Sequence, residues 1–219
     1  MTNLILTRYL YNYESVKRTL IHTILSQQEE AALFWGYELY ESGFIKETIE
    51  LLQEIYDNFY KEHYPILGIF IEKCIKTTDK TTIATIIKNL AIKPILHKKK
   101  ESKNPRFIRI KEEQIQPFMT KSSNQYLWKY LQEVCKYGVL SEVYQEDILL
   151  LWRTNWLYYA SISPIWKKRI ESHNGCIDHS LKTIRFLTDD DLDEFYNIYG
   201  YEPDEQPCEI YRKCLGIIQ

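Results

Sequence analysis

Residues 28–59 read QEEAALFWGYELYESGFIKETIELLQEIYDNF, and this stretch decides the fold class. Its first part, about Gln28 to Glu41, carries apolar side chains at helical spacing. It stops before Gly43, a residue suited to the left-handed conformation just past a helix end. The part that follows places Ile45, Ile49, Leu52, Tyr56 and Phe59 on one stripe of a second helix. A short turn between two such helices predicts an antiparallel helical hairpin.

Toward the N-terminus, Val16, Leu20 and Ile24 are spaced by four, so Tyr13 to Gln27 predicts an amphipathic helix entered from a short extended start, Leu4 to Tyr11. Toward the C-terminus, Pro65 suits the first turn of a helix bearing Ile66, Phe70 and Cys74. Asp79 can cap the next helix, with Ile83, Ile87 and Leu90 inward and Pro94 at its end. From Ile95 to Ser123 the periodicity fails, and Pro105 and Pro117 mark a long connection with a short extended stretch at Phe107 to Ile110. This divides the chain into an N-terminal helical half (1–94), a basic connection (95–123) and a C-terminal helical half with an acidic tail (124–219).

The second half opens with a helix predicted over Asn124 to Tyr137 and continues into the most apolar segment, Tyr144 to Ala160. Apolar residues surround that segment on every side, as in a central, buried helix. Pro164 restarts a helix that ends near Asn174-Gly175, Leu181 to Leu187 alternates like a strand, and Thr188-Asp189 begin a helix with Leu192, Phe195, Tyr196 and Tyr199 inward. A short helix near Ile210 to Leu215 closes the chain. The expected fold is mainly α, an irregular helical bundle built from hairpins, with minor strand content.

Composition agrees. The chain has 219 residues, 45% of them hydrophobic, with only 7 Gly and 7 Pro, too few turn residues for a fold of many short strands. Five Ala beside 28 Ile and 18 Tyr mean that the helices pack through bulky side chains. With 28 Lys and Arg against 30 Asp and Glu, the net charge of −2 excludes a surface wholly devoted to nucleic acid or membrane, so any such contact is local. Five scattered cysteines, with no signal-type segment after Met1, predict a reducing compartment. The longest apolar run, Ile148 to Trp152, is far shorter than a membrane-spanning helix, so no membrane partner is expected.

Trp35, Gly36, Leu39 and Gly43 resemble half of a tetratricopeptide repeat, the helix pair that recurs at a fixed period in solenoids. The match is partial: the small residue of the second helix falls on Thr48, and Pro65 comes late. No second copy follows around Phe70 to Ile83, which favours a bundle over an array.

Phosphate-cradling glycine loops, G-x-S-x-G, H-E-x-x-H and paired C-x-x-C frameworks are absent from the sequence, so catalysis is not the expectation and no cofactor is expected. Three constellations remain. His173, Cys176 and His179 have zinc-ligand types at spacings of three, with Cys208 and Cys214 downstream, beside a Gly turn where polar residues are ordinary. Lys98, Lys99, Lys100, Lys103, Arg106, Arg109 and Lys111 face one carboxylate, Glu101, a local charge of +6 that can meet phosphate backbone. With Phe107 as the lone interleaved aromatic, the stretch has no platform for reading single strands. Nine carboxylates between Asp189 and Glu209, Asp204 and Glu205 among them, face no Lys or Arg. Asp189 to Asp191 suit the first turn of a helix, and the rest can dock a basic partner or the basic segment of a second copy. Trp156 and Trp166 form an aromatic cluster that serves the core or anchors a partner.

Thr7-Arg8-Tyr9-Leu10-Tyr11, Phe34 to Gly43, Asn155-Trp156-Leu157-Tyr158-Tyr159-Ala160, Pro164-Ile165-Trp166 and Tyr201-Glu202-Pro203-Asp204-Glu205-Gln206 resemble an uncharacterised protein family of nucleocytoplasmic large DNA viruses. The resemblance implies an intracellular protein of the host cytoplasm or the virion, and it supplies no catalytic residue. The expected function is that of a non-enzymatic helical interaction or scaffold protein, an accessory subunit in a viral assembly with a protein partner. The alternatives are nucleic-acid association through 98–111 in replication or transcription, and an unfamiliar metal-dependent enzyme.

Overall fold

In the computed structural model the chain is described over residues 4–77, 79–95, 103–119, 139–140 and 146–199. Over these residues it is mainly helical, with one two-stranded β-hairpin among them. The helices begin with α1 (Tyr13–Leu25), α2 (Glu29–Glu41), α3 (Ile45–Phe59), α4 (Pro65–Ile75) and α5 (Lys80–Ala91). A short α6 (Glu112–Ile115) runs into a 3₁₀ turn (Gln116–Phe118), and α7 (Glu146–Ala160) and α8 (Pro164–Glu171) follow. Strands β1 (Gly175–Asp178) and β2 (Thr183–Phe186) then precede α9 (Asp189–Tyr199). Among the described residues no helix is long and apolar enough to cross a membrane.

The described residues form two compact units: 17–119, the helical unit, and 4–16 with 139–140 and 146–199, the hairpin unit. This differs from the division read from the sequence. The extended start belongs with the C-terminal half, and residues 103–119 belong with the helices before them.

In the helical unit, α2 ends as its sequence requires. Gly43 has φ 96°. Its N–H donates to the Tyr40 carbonyl (3.0 Å) and the Phe44 N–H reaches back to that of Leu39 (3.2 Å). This is the paired closure of a left-handed helix stop. The inner face of α3 is Thr48, Leu51, Leu52, Ile55 and Tyr56. It is rotated from the expected stripe, whose ends Ile45 and Phe59 are exposed. Although α2 and α3 touch, α2 packs most extensively on α5, where Gly36 lets the backbone approach Ile83 and Ile87. The most extensive pairing is therefore a non-sequential one, whereas in a repeat array each unit contacts only its neighbours.

Asp79 caps α5 by accepting from the Thr81 N–H (2.8 Å), while Thr82 Oγ1 accepts from the Asp79 N–H (3.2 Å). With the Thr82 N–H also turned to the Asp79 side chain, the exchange between Asp79 and Thr82 makes a reciprocal capping box. Ile83, Ile86, Ile87 and Leu90 are buried, and so are Thr82, Thr85 and Asn89 on other faces, so α5 is the central helix of its unit. The sequence placed the central helix at Tyr144 to Ala160. There Leu150 is 61% exposed, and the helix breaks at Asn155 (φ −164°, ψ 48°).

In the hairpin unit, the extended start forms an antiparallel bridge between Leu6 and Asn12 around a turn with Leu10 at φ 65°. The Trp166 Nε1–H donates to the Thr7 carbonyl (2.9 Å), and Trp156 meets Trp166 edge to face at 5.4 Å between ring centroids. Aromatic quadrupoles favour that edge-on arrangement. β1 and β2 pair antiparallel with Gly175 opposite Phe186 and Asp178 opposite Thr183. Only β2 was foreseen; the residues of β1 read as part of a polar turn.

A pinned cationic strap on α5

The expected loose connection carries the most distinctive arrangement in the described chain. On α5, Thr85 and Asn89 stand one turn apart, a rise of about 6 Å, which matches two residues of extended chain at about 3.3 Å each. That match is used. Asn89 is fully buried; its Nδ2–H donates to the Ile108 carbonyl (2.6 Å) and its Oδ1 accepts from the Ile108 N–H (3.0 Å), so one amide answers both polar groups of one residue. Thr85 Oγ1 accepts from the Ile110 N–H (3.1 Å). The strap, residues 103–111, thus runs antiparallel to α5 with its register set by two side chains.

Apolar side chains hold its ends. Phe107 stacks on Phe70 (4.3 Å, 14° between planes), while Ile110 and Ile115 pack with Tyr37 and Ala84. Phe118 stacks on Tyr37 (6.0 Å, 18°), whose hydroxyl donates to the Lys80 carbonyl (2.6 Å). Burial, with the neighbouring Tyr40 and Glu41, raises the Tyr37 phenol well above its ordinary value.

The cations are left outward. Lys103, Arg106, Arg109 and Lys111 are exposed, and among the described residues none of them, nor Lys93, has a carboxylate partner. Elsewhere in the unit Lys46 pairs with Glu50, Lys61 with Asp57 and Lys88 with Glu29. The Arg109 guanidinium lies 5.4 Å from the Phe70 ring centroid; the Lys93 ammonium lies 4.8 Å from that of Tyr64 and 5.9 Å from that of Phe107. These are distances at which a cation is drawn to an aromatic ring. Two cations therefore border a pair of stacked rings. Below them the Cys74 thiol is raised by burial against the opposing influence of Arg109. Exposed Glu112 and Glu113 mark the end of the cationic run. By its charge such a surface is suited to anions.

Sequence reading flagged Lys103, Arg106 and Arg109 and missed Lys93, Asn89 and Thr85. The usable signal was the interleaving of Phe107, Ile108 and Ile110 with the cations, a pattern a solvated loop does not need. Lys98, Lys99 and Lys100 lie outside the described residues, as do Asp204 and Glu205.

The remaining site residues take structural positions. Trp156 and Trp166 are fully buried, so neither is a surface anchor; an indole with no exposed edge has nothing to offer a partner. His173 donates from Nδ1 to the Arg169 carbonyl (2.9 Å), with its ring edge-on to Phe195 and Tyr199. Cys176 is exposed on β1 opposite Arg185, and His179 lies in the hairpin turn with its ring against Tyr158. Among the described residues no three His, Cys, Asp or Glu side chains converge as a metal would need, and Cys208 and Cys214 lie outside them. Asp191 closes a reciprocal cap with Thr188 and accepts from the Asn174 amide (2.8 Å). The Thr188 hydroxyl first, then that amide, holds its carboxyl below the usual range.

The chain matches no family model, no curated protein and no solved structure.

Proposed function

We propose that this protein is a non-enzymatic helical interaction protein, an accessory subunit of a viral assembly, and that it engages a polyanionic partner through the strap. The observation that carries the reading is the pinning, by buried Asn89 and Thr85, of an extended cationic segment that has no carboxylate partner among the described residues. Fixing the backbone before a partner arrives removes much of the ordering cost of binding. Among the described residues five cations there have no carboxylate partner, which favours a surface kept for something else. The viral setting rests on the sequence resemblance.

The test is retention on an immobilised sulfated polysaccharide. A chain of net charge −2 has no bulk attraction for such a polyanion, so retention reports clustered charge. Wild-type protein binds at low salt, and Lys103→Glu with Arg106→Glu elutes distinctly earlier. Flow-through of the wild type defeats the reading.

A further inference from the structure

We infer that the polyanion is the phosphodiester backbone of a nucleic-acid duplex, bound without regard to base sequence; this rests on the reading above. Lys103, Arg106 and Arg109 recur every third residue, about 10 Å apart in extended chain. A duplex carries one charge per about 1.7 Å of axis, so cations at that interval find phosphates in any register. An acidic protein segment would have to match them one by one.

The surroundings of the cations separate the partner classes. Protein interfaces are centred on aromatic or apolar anchors and are depleted in lysine. Here Phe107 is committed to Phe70, and Ile108, 38% exposed, is the one large apolar side chain the strap presents among the described residues. A single strand would be gripped by bases stacking on open rings. The rings of Phe70 and Phe107 are instead stacked on each other, with Arg109 beside Phe70 and Lys93 beside Phe107 and Tyr64. What remains is backbone electrostatics. Arg106 and Arg109 offer forked donors that suit phosphate oxygens, and Lys93 and Lys103 offer point charges.

The experiment is fluorescence anisotropy of a labelled duplex of arbitrary sequence, about two helical turns long, with the full chain over a salt series. With four contacts the logarithm of affinity falls against that of salt with a slope of about −4. Lys103→Glu with Arg106→Glu weakens binding at least about tenfold and removes about two units of that slope. Neither side chain holds a described contact, and an unchanged circular dichroism spectrum verifies the fold. Duplexes of different sequence bind within about threefold of each other. Three results overturn the inference: a slope unmoved by the double variant, a roughly tenfold preference for a single strand or for one duplex sequence, or polyglutamate competing as well as the duplex. If the polysaccharide retains the protein and the duplex does not bind, the inference falls and the interaction reading stands; if neither binds, both fall.

Discussion

Asn89 is the residue on which the strap depends, because its amide is the sole described answer to both polar groups of Ile108. Asn89→Ala leaves an N–H and a carbonyl without those partners and is expected to lower stability by about 1–3 kcal/mol in urea unfolding. The same variant should release the strap, so that native-state trypsin cuts after Arg106 and Arg109 several times faster; equal cutting rates would separate the clamp from the strap. Gly36 makes a second residue-scale demand. A Cβ there overlaps Ile87 Cδ1, the end of a buried side chain that can turn aside at a cost. Gly36→Ala is expected to cost about 1–3 kcal/mol, and Ile87→Val, which deletes the offending methyl, should recover part of it in the double variant. Strict additivity by thermal unfolding would mean that α2 and α5 do not meet at that point.

At the scale of elements, α5 depends on its cap. The Thr81 hydroxyl, then the Thr81 and Thr82 backbone, holds the Asp79 carboxyl below its usual value, with burial opposing. A carboxyl whose folded value is depressed contributes stability that is present above its unfolded value, about 3.9, and lost as pH falls through the folded value. Asp79→Ala should therefore cost about 1 kcal/mol at neutral pH, with the gap to wild type closing below about pH 4. A gap that stays constant from neutral pH well into the acid range would refute the charged cap. The elements whose ends carry such local chemistry were also the ones legible in the sequence: Asp79 before α5, Pro65 opening α4, Gly43 closing α2, Thr188-Asp189 opening α9. β1 was not legible, because Gly175 to Asp178 contains one apolar residue of strand type, Ile177, and its pairing comes from β2. The clamp was hidden for a related reason. A polar residue in an apolar helix reads as a blemish until the segment it binds, 19 positions on, is in view.

For the whole molecule, the division into units depends on bonds with no local signature. The Trp166 indole reaches the Thr7 carbonyl across 159 positions of sequence, and no periodicity announces it. Hence the fold class was readable while the membership of the first residues was not. The bulk of the core has its own consequence at high pH. Tyr60, fully buried, has its phenol pushed up to about 12 by burial and by the neighbouring Tyr64, and Tyr37 is raised too. A phenol raised in the folded state contributes stability that is full below its unfolded value, about 10, and is lost as pH climbs toward the folded value. Among the 18 tyrosines, a late-ionising group should appear in phenolate absorbance only together with the loss of helical circular dichroism. Complete ionisation with the helices intact would contradict that burial.

Because Ile108 is held on Asn89 at both its N–H and its carbonyl, the places of Arg109 and Lys111 are counted from that landing and not from the end of α5. Deleting Arg109, the one residue between the two docked ones, breaks the register: with Ile108 held on Asn89, the Ile110 N–H no longer meets Thr85, and the buried Ile110 side chain loses its place beside Tyr37 and Ala84. One residue fewer between those two landings thus undoes both the hydrogen bond and the packing that follow the first.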